Sequence, residues 1–90
     1  MGRARVHLAV IHGADEVYGV VAARDRESLL LRLARRLEED VELQLFQAEC
    51  DRFQSLVEEG RYGEAVCVYS EGVGEKWDPV RLWFTTVELK

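Results

Sequence analysis

The chain has 90 residues, of which 48% are hydrophobic and 32% charged, and a formal net charge of −5. A chain of this length makes one domain, residues 1–90, which buries about 60 to 65% of its unfolded surface and leaves no room for a separate catalytic domain. The acidic balance opposes binding to phosphate backbones, and no apolar run reaches the roughly 18 residues of a membrane span.

His7 and His12 interrupt the apolar stretch that a signal peptide would need. The expectation is a cytoplasmic protein with no membrane and no nucleic acid among its partners.

Residues 5–23, RVHLAVIHGADEVYGVVAA, hold two runs rich in Val, Ile and Ala around His12-Gly13-Ala14-Asp15. This is the pattern of a β-hairpin with a tight connection. Alternation along the first strand puts Val6, Leu8 and Val10 on one face and His7, Ala9 and Ile11 on the other. Both faces are fairly apolar.

Asp25 stands where a side-chain oxygen can accept from an orphan amide, so a helix is expected over about 26–39. Leu30, Leu33, Ala34, Leu37 and Val41 form its apolar stripe, and Arg32, Arg35, Arg36 and Glu39 take the wet side. Phe46, Cys50, Phe53 and Val57 form a second stripe. In one continuous helix the two stripes would lie nearly opposite each other, and a single sheet could not cover both. The chain must therefore break near 40–45, where Val41, Leu43 and Leu45 alternate with Glu42 and Gln44 as in a short extended piece. A second helix comes next, over about 47–59, with Gly60 as a left-handed cap.

The stretch VEEGRYGEAVCVYSE, residues 57–71, carries two patterns. Tyr62, Ala65, Val66 and Tyr69 share one helical face, whereas Val66, Cys67, Val68 and Tyr69 are residues that strands prefer. Gly60-Arg61-Tyr62-Gly63-Glu64-Ala65 resembles the turn and second-helix start of a tetratricopeptide repeat, a peptide-binding module. The likeness covers about fifteen residues and a repeat stack needs at least three units, so it implies a helix–turn and no array. A short helix is favoured, because a strand here would need a hairpin loop of about nine residues to pair with the C-terminal run at 80–89.

Gly72–Pro79 is a loop by composition, and VRLWFTTVEL at 80–89 reads as a strand. The fold class is α+β: an N-terminal β-hairpin, two or three helices on one face, and a C-terminal strand completing a three-stranded antiparallel sheet beside the first strand.

No catalytic constellation emerges. Cys50 and Cys67 match no metal spacing and are read as reduced thiols. His7 and His12 fall on opposite strand faces, and His12 with Asp15 is more simply a turn hydrogen bond than an acid–base pair. The glycines assemble no phosphate loop, and Ser28, Ser55 and Ser70 lack the nucleophile-elbow setting. Arg24, Arg26, Arg32, Arg35 and Arg36 cluster, but Arg35 and Arg36 can pair with Glu39 and Asp40 one turn on. The expectation is a protein that is not an enzyme, with no catalytic, cofactor-binding or metal residues and no cofactor.

An excess of apolar surface is more informative. Helices on one side of the sheet leave the other side bare, and His7, Ala9 and Ile11 with Val17 or Tyr18 and with Trp83 or Phe84 are expected there. With Trp77, the residues His7, Ala9, Ile11, Trp83 and Phe84 make the candidate interface. The first functional reading is an interaction module that forms a homodimer through this face or through an open strand edge, or docks on a protein partner. The alternative is an acidic inhibitor or nucleic-acid mimic of the phage type, presenting Glu38, Glu39, Asp40, Glu42, Glu58, Glu59, Glu71 and Glu75. A small-ligand binder or enzyme using His12, Asp15 or a cysteine comes third.

Overall fold

The computed structural model describes residues 4–13, 15–73 and 80–89. The elements run β1 (Ala4–His12), β2 (Val17–Ala23), α1 (Arg26–Leu37), α2 (Val41–Gln44), α3 (Gln47–Glu58), α4 (Tyr62–Gly72) and β3 (Arg81–Leu89). The strands form one antiparallel sheet in the order β2-β1-β3, so the C-terminal strand lies beside the first. The expected α+β architecture is present.

The hairpin is closed by the Gly13 amide, which donates to the Glu16 carbonyl at 2.8 Å, and its register shifts between Ile11 and His12. The Tyr18 ring packs where a side chain at Gly13 would begin, so a larger residue there would displace the tyrosine.

Asp25 caps α1 as its position foretells: Oδ1 accepts from the Ser28 amide at 2.8 Å and Oδ2 from the Ser28 hydroxyl at 3.0 Å. These bonds favour the charged carboxylate and hold its pKa below the ordinary value. Leu29, Leu33, Ala34 and Leu37 are buried, and the expected Leu30 is only half-buried at the stripe's edge.

The break between the long helices is found, but it is a single helical turn and not an extended piece. The Leu43 and Gln44 amides both donate to the Asp40 carbonyl at 3.0 Å, and the Leu45 amide donates to Val41 at 3.0 Å. Burial explains the difference: Val41 and Leu45, four residues apart, both enter the core, while Leu43 stays outside. The i, i+4 pair prevails over the alternation.

α3 ends as expected at Gly60, whose φ of 77° is the left-handed conformation that glycine favours. Gly60 donates to Val57 at 3.0 Å and Arg61 to Leu56 at 2.9 Å, the paired bonds of a Schellman cap. The ambiguous stretch then forms the helix α4, burying Ala65, Val66 and Tyr69. Tyr69 meets Phe53 of α3 edge-on, with ring centroids 6.4 Å apart. The resemblance to a tetratricopeptide turn is thus a helix–turn–helix and nothing more. Most of the expected loop before β3 lies outside the described residues, and Gly72 itself ends α4.

α1 lies on β1 and β2, α4 packs on α1, and α3 packs on α4. The core fills the space between this helical layer and one face of the sheet. The molecule is correspondingly thin, with Cα extents of 48 × 33 × 17 Å.

Candidate interaction surface

Residues opposite each other in an antiparallel ladder point to the same face. Ala9 opposes Val21 and Phe84, and Ile11 opposes Gly19 and Leu82, so these residues form the inner face beneath the helices. Small side chains at Ala9, Gly19 and Ala23 allow α1 to approach closely; the space beside Gly19 borders the Arg36 guanidinium and Ile11.

The outer face carries Val6, Leu8 and Val10 of β1, Val20 and Ala22 of β2, and Trp83, Thr85 and Val87 of β3. Val17, paired with His12, extends it. No helix covers it, and large apolar side chains stand in the open: Trp83 is 61% exposed, Val20 58%, Val17 52% and Val87 43%. Among the described residues between Val6 and Val10 and their partners, Thr85 is the one polar side chain. The polar Arg81 and His12 sit opposite each other at the far end.

This corrects the expected face. Ala9 is fully buried and Ile11 is 3% exposed, so both are core residues and not interface residues. His7 is half-buried on the same inner face, with Nδ1 3.1 Å from the Thr86 hydroxyl. Phe84 also points inward, yet remains half-exposed because the helices stop short of β3. Trp83 alone of the expected set lies on the bare outer face, and Trp77 lies outside the described residues. Missed were Val6, Leu8, Val10, Val20 and Val87. The signal that could have found them is the size of the residues on the opposite side, since a helix lies closest over Ala and Gly.

The remaining candidates do not converge. His12 and Asp15 are both exposed, Cys50 is a buried cysteine and Cys67 an exposed one. Among the described residues no group of three or more His, Cys, Asp or Glu could hold a metal ion. The arginines of α1 engage neighbouring acids: Arg36 meets Glu39 at 2.9 Å and Asp40 at 3.3 Å, and Arg35 meets Glu38 at 3.3 Å. Arg61 likewise bridges Glu59 and Glu64. Among the described residues no helix is long and apolar enough to cross a membrane.

The two sheet edges differ. Along β2, Arg32 of α1 donates from Nη1 to the Ala22 carbonyl at 3.0 Å. Among the described residues the contacts along β3 are almost wholly with β1, and no strand lies on its other side. A groove of about 500 Å³ runs between β3 and the helices, lined by Leu29, Leu30, Val66, Cys67, Phe84 and Thr86 among others. No family model, curated protein or solved structure matches the chain.

Proposed function

We propose that the protein is a protein–protein interaction module that self-associates as a homodimer through the outer face of its sheet. The observation that carries this reading is the bare apolar field around Trp83, which is 61% exposed on a face with no covering element among the described residues. A solvated sheet face ordinarily alternates to polar residues, and an apolar field of this kind marks a contact surface.

Three strands about 4.8 Å apart and about 30 Å long give a face about 14 Å by 30 Å before side-chain relief is counted. That footprint is about half of the roughly 800 Å² per partner of a specific contact, and side-chain relief and the rims would supply the rest. An uncharged apolar face is complementary to another of its kind, and a second copy of the chain always offers one. Stacking the two faces about 10 Å apart gives layers of helix, sheet, sheet and helix under twofold symmetry. The acidic-mimic reading has less support, because Glu38, Glu39, Asp40 and Glu59 already engage arginines.

The experiment loads this face with charge. Val20→Lys combined with Trp83→Glu should leave the far-ultraviolet circular dichroism unchanged and turn a dimer into a monomer. A double variant that folds and stays dimeric would overturn the proposal.

A further inference from the structure

We propose that β3 also pairs with β3 of a second copy, antiparallel about a twofold axis at Thr85, so that two sheets join into one of six strands. This rests on the self-association reading but uses a different surface, the strand edge. An unguarded edge presents a row of unpaired amides and carbonyls that template another strand. β2 has the Arg32 bond to Ala22 along it, whereas β3 offers nine residues, Arg81–Leu89, with no strand on its other side among the described residues.

The second observation is the groove beside that edge. Its wall includes Phe84 and Thr86, from the middle of β3, together with Leu29, Leu30 and Val66 of the helices. A strand added to β3 projects every second side chain into this groove, the arrangement by which added strands are recognised. The occupant must therefore carry apolar side chains on its inner face near its midpoint. β3 itself does so, with Leu82 and Phe84 on the inner face of the sheet.

Symmetry sets the register. Opposed residues must share a face, so the axis passes through a residue and not between two. Thr85 is the midpoint of Arg81–Leu89, and only an axis there pairs all nine residues. Thr85 then faces its own copy, Trp83 faces the second copy's Val87 on the outer face, and Phe84 faces the second copy's Thr86 at the groove. Thr–Thr and aromatic–β-branched pairs are among the favourable cross-strand neighbours.

In this register Leu82 faces the second copy's Glu88 on the inner face, while Arg81 lies on the outer face, so the two charges do not oppose each other. Glu88 also meets Arg5 at 3.5 Å, an exposed pair that adjusts at little cost. The axis stands perpendicular to the sheet and leaves the outer face open, so edge and face contacts together close a tetramer of 222 symmetry. The edge contact is the smaller one and forms at higher concentration.

The test is disulfide trapping with the face contact removed. Thr85→Cys is placed in a Val20→Lys, Cys67→Ser background and oxidised at high protein concentration. Residues opposed across a twofold have Cβ atoms about 4.5 to 5.5 Å apart, close enough to link with slight adjustment. The expected product is a covalent dimer, with no such product from Val87→Cys in the same background. A folded Thr85→Cys protein that stays unlinked overturns the edge pairing; if wild type is still dimeric, the face reading survives. As a second measure without substitution, alternate β3 amides of the wild type should gain hydrogen-exchange protection as concentration rises. Protection independent of concentration overturns the proposal.

Discussion

Ala9 and Phe84 stand opposite each other in the β1–β3 ladder, on the same side of the sheet, yet Ala9 is fully buried and Phe84 is 48% exposed. The difference marks where the helical layer ends. Among the described residues α1 covers β1 and β2, and β3 packs chiefly against β1. β3 therefore exposes apolar side chains on both sides, with Trp83 and Phe84 pointing to opposite faces of the same strand.

The assignment of faces makes a paired prediction for glutamate substitutions on the sheet. Ile11→Glu puts a charge into the core and should lower stability by about 3 kcal/mol or more. Val20→Glu, on the bare face, should change the stability of the isolated chain by less than about 1 kcal/mol. Urea titration in dilute solution, where self-association is absent, measures both. Equal costs would show that the faces are reversed or both covered.

Tyr69 predicts the alkaline limit of the fold. Burial and the nearby Asp40 carboxylate push its pKa from 10 up to about 12. The native state thus holds its proton more tightly than the unfolded chain, so this contribution is complete below pH 10. It falls as pH rises from about 10 towards 12. The denaturation midpoint should decline across that window, and Tyr69→Phe should flatten the decline.

The helix ends give a third prediction. Gly60→Ala forces a side chain into the left-handed conformation and should cost about 1 kcal/mol. Asp25→Ala removes the bonds to Ser28 and should also lower stability. Because the Asp25 pKa is lowered, its contribution is present above the ordinary carboxylate value and is lost as pH falls through the native value. For a domain of this size the Gly60→Ala change lowers the thermal midpoint by about 4 to 8 °C, and Asp25→Ala lowers it too. The two should add, since they cap different helices.

Gln44 should respond in the opposite direction. Its side-chain oxygen is buried and has no hydrogen-bond partner among the described residues. Gln44→Leu keeps the size, removes the unsatisfied group and should raise stability by about 1 kcal/mol. Calorimetry of the variant showing a lower midpoint would indicate that the oxygen is satisfied in solution.

Much of this architecture is legible from residue order because local signals agree with the tertiary outcome. Asp25 and Gly60 bound their helices, and the opposed stripes around Leu33 and Phe53 require the break between them. The ambiguous residues 62–72 resolve to a helix because Ala65, Val66 and Tyr69 reach the core together. Two features escape local reading. The turn at Val41–Gln44 alternates like a strand, and only burial of both Val41 and Leu45 identifies it as helical. Which sheet face is covered depends on how closely α1 can approach, and that is decided jointly by Ala9, Gly19 and Ala23 from two strands. The apolar excess and Trp83 were legible, but the face they belong to was not.

Sedimentation equilibrium of the wild-type chain at micromolar concentration tests the central claim most directly. Apolar face-to-face contact predicts about twice the 10.3 kDa chain mass, retained or strengthened as salt rises towards molar concentration. A mass of one chain throughout that range, or a dimer that dissociates with added salt, would contradict it.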